Sequence, residues 1–242
     1  MISLQNITKK FGEKTAVNNV SFDIKPGEVV GFLGPNGAGK TTTMRVLTGF
    51  YKPDNGKVIL NFGEKDLTPE SVEARRQIGY LPEGNPLYPE MKVGEYLEFI
   101  ATIKNKFKTQ MTNDKSNSND KIQNSIIKEC GIIEVLNQPI SELSRGYKQR
   151  VGLAAAIIGD PKILILDEPT SGLDPNQQEE MYVLLKKLSQ DKTIILSTHI
   201  LSEVEKVCSR VIIINKGKIV LDESVGKTKG RLEKKFREAT KI

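Results

Sequence analysis

Gly34-Pro35-Asn36-Gly37-Ala38-Gly39-Lys40-Thr41 follows the spacing G-x-x-x-x-G-K-[ST], the pattern of a loop that wraps phosphate. Glycines let successive backbone N–H groups turn inward onto phosphate oxygens, and a helix opening near Thr41 and Thr42 adds the partial positive charge of its N-terminus. Lys40 is then placed to reach the β- and γ-phosphates of a nucleotide, and the Thr41 hydroxyl to ligate Mg²⁺. Asp167-Glu168 closes a buried run, Lys162 to Asp167. Ligands of parallel sheets gather at the carboxyl ends of strands, so both acids belong on the edge that carries the glycine loop. There Asp167 suits the Mg²⁺ shell, and Glu168 suits a general base that polarises an attacking water. His199 is the sole histidine and ends a third apolar run, Thr193 to His199; a neutral imidazole at that edge donates to a γ-phosphate. Ser144 reads first as the N-cap of a following helix. Beside Gly146, that helix start also suits gripping the γ-phosphate of a nucleotide bound elsewhere.

Elements that position these residues are visible in the hydropathy pattern. Ile2 to Ile7 and Val20 to Ile24 alternate apolar and polar side chains, as half-buried strands do. Val29 to Leu33 is apolar on both faces, which suits a central strand of a covered sheet. A helix from about Thr41 to Gly49 and a short strand, Gly56 to Leu60, come next. Residues 85–160 read as mainly helical, with apolar positions Val93, Leu97, Ile100 and Ile103 at helical spacing. A second helix is expected to resume near Ile122, and a third to run from about Arg145 to Ile158. Residues 108–121 are polar and low in complexity, and read as a flexible insertion at a helix junction. Strands then alternate with helices: Lys162 to Asp167, a helix over Met181 to Leu188, and Thr193 to His199. Val211 to Asn215 and Lys218 to Leu221 flank Lys216-Gly217 as a hairpin. Strand–helix–strand alternation predicts an α/β chain with a largely parallel sheet covered by helices. Gly226 to Ile242 forms a basic tail, either frayed or presenting Leu232 and Phe236 as one apolar helix face.

The chain of 242 residues is 38% hydrophobic and 27% charged, which excludes a disordered or membrane-embedded chain. The apolar runs are far shorter than the roughly 20 residues a spanning helix needs. The first residues lack the layout of a signal peptide, and Cys130 and Cys208 give neither a disulfide framework nor a metal spacing. Net charge is +6, but residues 226–242 carry seven Lys/Arg against two Glu and residues 104–121 carry five Lys against two Asp, leaving the body at −2. With aromatics at 6% and no Trp, the basic face expected of a nucleic-acid enzyme is missing. A cytoplasmic protein with no nucleic-acid partner is the expectation.

Taken in order, the phosphate loop, Leu143-Ser144-Arg145-Gly146-Tyr147, the strand ending Asp167-Glu168, Ser171-Gly172-Leu173-Asp174 and His199 resemble the motifs of ATP-binding cassette (ABC) ATPases, and the resemblance spans essentially the whole chain. It implies a single domain over residues 1–242. The implied fold is a P-loop NTPase core of RecA-like type with a mostly parallel sheet, an antiparallel β subdomain, and a helical subdomain at about 85–160. It implies two cassettes meeting head to tail, as a homodimer or a heterodimer, with two MgATP at the seam. The loop of one and the Leu143–Tyr147 segment of the other clamp each ATP, and the loop ending at Asp174 passes between the sites. Phe11 matches the aromatic that stacks on adenine, a task that needs only a π-face. Two departures stand out. The usual Leu-Ser-Gly-Gly-Gln reads Leu143-Ser144-Arg145-Gly146-Tyr147, and Gly79-Tyr80-Leu81-Pro82 leads into Glu83 where Gln is usual. A carboxylate can ligate Mg²⁺ but cannot donate an amide hydrogen bond.

Leu81-Pro82-Glu83, Asn85-Pro86-Leu87-Tyr88, Ser144 to Arg150 and Leu173 to Gln177 together resemble one exporter branch, the gliding-motility-associated and multidrug-type ATPases that energise ABC-2 permeases. The implied function is ATP hydrolysis coupled to a separate membrane permease, with the cassette peripheral at the inner face of the cell membrane. The permease would dock on the groove around Glu83 to Phe99, where Gly84, Pro86 and Pro89 favour turns. The alternative is a soluble ABC ATPase of repair or translation. Two cassettes do not fit in 242 residues, however, and no heptads signal a coiled coil.

Overall fold

The computed structural model describes residues 1–63, 65–109, 125–228 and 230–240. Two sheets organise them. In the first, β1 (Ile2–Phe11) pairs with β2 (Lys14–Ile24) on one side and β4 (Asn55–Asn61) on the other, with β5 (Asp66–Leu67) beyond β4; every pairing is antiparallel. The second holds β3 (Val29–Leu33), β6 (Ile78–Leu81), β7 (Ile163–Asp167), β8 (Thr193–Thr198), β9 (Arg210–Asn215) and β10 (Lys218–Ser224) in the order β10-β9-β3-β8-β7-β6. All its neighbours are parallel except the β9–β10 hairpin. That hairpin turns at Lys216 and Gly217, with φ of 48° and 76°, as a two-residue turn matching strand twist requires.

Period-two alternation divides the core into two layers. Val30, Phe32, Ile163, Ile165, Ile195, Ile212 and Ile214 face the antiparallel sheet and α1 (Lys40–Leu47). Val29, Leu33, Leu164, Leu166, Ile194, Leu196, Val211 and Ile213 face the opposite side. That side is covered by α3 (Val93–Thr109), α4 (Arg145–Ile157), α5 (Pro175–Leu188) and α6 (Leu201–Val207). Burial on both faces explains why β3, β7 and β8 are continuous apolar runs.

Several sequence expectations change. The segment Gly79 to Leu81, which the hydropathy pattern assigns to no element, belongs to β6, the edge strand beside β7; Pro82 ends it by lacking an N–H to donate. The helix assigned to Met181 to Leu188 begins at Pro175, where Asp174 caps it in a box with Gln177. A short helix, α2 (Val72–Arg76), and α6 are additional elements. The tail folds as α7 (Val225–Thr228) and α8 (Leu232–Thr240). Leu232 is buried and Phe236 packs on the core, so the apolar-face alternative holds over the frayed one. Of the polar insertion 108–121, residues from 110 onward lie outside the described residues, as does the expected helix start at Ile122; residues 125–129 are helical.

Candidate active site

The loop between β3 and α1 is shaped by glycine. Gly39 caps α1 with φ of 111°, and a Cβ there would lie 2.5 Å from the Ala16 carbonyl oxygen. No other residue takes this conformation against that backbone without strain. The turn closes through Ala38 N–H to Pro35 O at 3.1 Å and Gly34 N–H to Thr198 O at 3.3 Å. The first turn of α1 thus presents N–H groups that have no intrahelical acceptor.

Strand ends bring the acids and the histidine to this loop. Asp167 ends β7 opposite Ser197 of β8, and its Oδ1 accepts hydrogen bonds from the Ser197 hydroxyl and, at 3.3 Å, from the Thr41 hydroxyl. Its Oδ2 is buried without a partner. Burial holds the Asp167 carboxyl above its ordinary pKa; the Ser197 and Thr41 bonds work against this, while the charges of Glu83 and Glu168 add to it. Glu168 takes a left-handed backbone at φ of 53°, uncommon for a residue with a side chain. Its N–H is held by Ser197, at 3.0 Å to the carbonyl oxygen and 3.2 Å to the hydroxyl. In that pose Glu168 Oε1 lies 3.2 Å from Lys40 Nζ and Oε2 lies 2.8 Å from His199 Nδ1. Lys40 and Glu168 are buried, whereas His199 is half exposed. Lys40 also donates to the carbonyls of Gly34 (2.9 Å) and Pro35 (3.4 Å).

A cavity of about 540 Å³ opens over this cluster, lined by Phe11, Lys14, Ala16, Asn36, Gly37, Gly39, Lys40, Thr41, Thr42, Glu83 and Glu168. The exposed Phe11 ring is backed edge-on by Tyr51 at 5.2 Å, with Lys9 Nζ 5.7 Å from its centroid. Lys14 and Ala16 were not anticipated; Lys14 follows from the hairpin register, which pairs Phe11 with Lys14. Ser197 was also missed, although it is the register partner of Asp167.

None of Leu143, Ser144, Arg145, Gly146, Tyr147 or Asp174 lines this cavity. Ser144 caps α4, its hydroxyl accepting the Tyr147 N–H at 3.3 Å, and the Tyr147 hydroxyl bonds Glu134. Arg145 packs on the turn after Glu168: a Cβ at Gly172 would lie 2.0 Å from its guanidinium carbon. A Cβ at Gly146 would meet the Gln177 side chain at 2.8 Å. The segment is therefore a second surface, fastened to the Ser171–Asp174 loop.

The sequence model of the ABC transporter family matches residues 17–171. This chain belongs to the ABC transporter family. The cassette is 38% identical over 222 residues to YhcH, an ABC transporter ATP-binding protein of Bacillus subtilis, covering 91% of this chain and 68% of that one. It is 37% identical over 223 residues to the SkfA peptide export ATP-binding protein SkfE of the same organism, covering 92% and 88%. Among solved structures it resembles the dimeric cassette MJ0796 in a post-hydrolysis state bound to ADP and Pi, with a TM-score of 0.80, 28% identity, and coverage of 93% and 99%. The fold is that of the ABC ATPase and the activity is ATP hydrolysis in service of transport.

Proposed function

We propose that this cassette, as one of a pair, binds ATP over the Gly34–Thr42 loop and uses its hydrolysis to drive an ABC-2-type export permease carried on a separate polypeptide. The observation that carries the reading is Glu168, at a glycine-loop cavity that it lines with Lys40, held within 3.2 Å of both Lys40 and His199. Backbone N–H groups and Lys40 take the β- and γ-phosphates, and Phe11 offers a face to the adenine. Glu168 accepts the proton of the attacking water, while His199, held through Nδ1, keeps its other ring nitrogen available to the γ-phosphate. Phosphate competes with Glu168 for Lys40, so substrate binding frees the carboxylate for its role as base.

The residues fit Mg²⁺. Asp167 Oδ2 is a buried orphan acceptor beside the Thr41 hydroxyl, and Glu83 lies close enough for its charge to raise the Asp167 pKa. Among the described residues no group of three or more His, Cys, Asp or Glu forms a closed cage; Mg²⁺ typically takes one or two carboxylates plus phosphates. Thr41, Asp167 and Glu83 would hold it. When bound, the ion neutralises charge developing on the transferred phosphoryl group.

The second surface, Leu143 to Tyr147 with Asp174, is assigned to the nucleotide held by the other cassette, which is a second copy or a related chain. MJ0796 is dimeric with bound ADP and Pi, which supports pairing. SkfE is named for peptide export, which supports the direction. For the permease, the groove from Glu83 to Phe99 offers exposed Tyr88 and Phe99, their rings 6.0 Å apart. Exposed aromatics of this kind mark docking sites. No helix among the described residues is long and apolar enough to cross a membrane, and we assign the cassette to the cytoplasmic face of the membrane through its permease. Isolation of the native protein in mild detergent, with mass spectrometry of what accompanies it, tests this. Stoichiometric recovery of a protein with about six apolar spans is expected. Recovery of ribosomal or repair proteins overturns the transport reading.

A further inference from the structure

Glu203, on α6, is fully buried, has no part in the cavity, and sits among side chains of the elements that end in the site. Its Oε1 accepts the Thr170 hydroxyl at 3.1 Å. Thr170 is itself fully buried and lies two residues after Glu168, at the root of the loop that runs to Asp174. The Thr198 side chain, one residue before His199, is a second polar neighbour of the Glu203 carboxyl and holds its pKa down. Thr198 is oriented for this because its Oγ1 already accepts the Ile200 N–H at 2.9 Å. One buried carboxyl is thus bonded to Thr170, two residues after Glu168, and lies beside Thr198, the residue before His199. Burying a carboxyl costs free energy that apolar packing would avoid, and Glu203 Oε2 has no partner, so packing alone does not account for an acid here.

We infer that Glu203 is a positioning residue for hydrolysis, holding Glu168 in register with His199 by anchoring Thr170 against the end of β8. The inference rests on the roles proposed above for Glu168 and His199. A left-handed Glu168 persists only if its surroundings over-determine it, and the Thr170 anchor supplies one such constraint two residues downstream. Burial raises the Glu203 pKa to about 7, so the neutral acid is well populated and an amide is its closest mimic.

The test measures phosphate release and fluorescent-nucleotide binding on the full chain, each expressed per molecule competent to bind nucleotide. Glu203→Leu keeps the volume and removes the bond to Thr170. It should lower kcat about tenfold or more, as loss of positioning does, while nucleotide affinity stays within about threefold. Glu203→Gln retains an acceptor for Thr170 and should keep kcat within about threefold. Thr170→Val should reproduce the loss and Thr170→Ser should restore it, which reads the same bond from its other end if the Leu variant does not fold. Normal kcat per competent molecule in both Glu203→Leu and Thr170→Val overturns the inference and leaves Glu203 a fold residue. A control, Glu168→Gln, separates the two levels. Normal turnover there overturns the reading of the site itself, whereas a dead Glu168→Gln beside a normal Glu203→Leu overturns the role of Glu203 alone.

Discussion

At the scale of single residues, the site consists of charges whose burial is tolerated because each has a defined partner. Glu168 is buried between Lys40 and His199, so its amide should keep the shape and lose the base. Glu168→Gln is expected to bind ATP with near-normal affinity and to hydrolyse it about 10² to 10⁴ times more slowly. A phosphate-release rate within tenfold of the parent would remove Glu168 from the role. Glu83 stands where the family's amide is usual, lines the cavity, and adds to the raised Asp167 pKa. Glu83→Gln removes one of two facing acids, and its expected signature is a higher Mg²⁺ concentration for half-maximal rate; an unchanged Mg²⁺ titration would show that Glu83 is not a ligand. Glu203 carries a pH consequence whose sign is fixed. Its folded pKa, about 7, lies above the unfolded 4.5, so the folded chain binds the extra proton between those values. Stability therefore falls as pH rises through that window, and the cost is fully present above it. Glu203→Gln should flatten this slope, seen as urea midpoints that converge with the parent's near pH 4.5 and exceed them near pH 8. Parallel midpoint curves would place the carboxyl in contact with solvent.

At the scale of elements, what was legible depended on whether a signal lay within one segment. Glycine spacing placed the loop, and continuous apolar runs placed β3, β7 and β8 with their acids and histidine at one edge, because burial on both faces leaves no other composition. The four-residue strand β6 was not legible, since Ile78, Tyr80 and Leu81 form too short a run to mark a strand on their own. Its glycine answers to tertiary contact: a Cβ at Gly79 would lie 2.4 Å from the Ala156 carbonyl oxygen and 2.7 Å from Leu164 Cδ2. Backbone does not yield as a side-chain tip does, so Gly79→Ala should lower stability by about 1 to 3 kcal/mol and shift β6, with Glu83 two residues past its end. Chemical denaturation checks the first effect; a midpoint equal to the parent's would mean that α4 moves away freely. The start of α5 was missed for a different reason. Apolar periodicity begins only at Met181, whereas the helix is set six residues earlier by Asp174, Pro175 and Gln177, which are capping signals rather than hydrophobic ones. Ser197, Thr170 and Glu203 illustrate a third limit: strand register and helix packing bring them to the site, and neither is local to the chain.

At the scale of the whole molecule, the glycine-loop cavity and the surface proposed to serve a second nucleotide are separate and joined through side-chain contacts. The Arg145 guanidinium lies against Gly172 and the Gln177 amide against Gly146, so the Ser144 helix start and the loop following Glu168 are in direct side-chain contact. A site assembled from two chains follows if Ser144 serves the neighbour's nucleotide. Complementation tests this without any permease. Lys40→Ala disables the phosphate loop of its own chain, and Ser144→Arg blocks the other surface; each alone should be nearly inactive. In a paired mixture one composite site carries both lesions and the other carries neither. An equimolar mixture in which chains pair at random should then recover about a quarter of the parent's turnover, since half the dimers are mixed and each holds one intact site of two. Recovery should fall on dilution, as association is lost by mass action. Turnover that stays at the level of the separate variants at every ratio and concentration would mean that Ser144 acts within its own chain, and the head-to-tail arrangement would have to be abandoned.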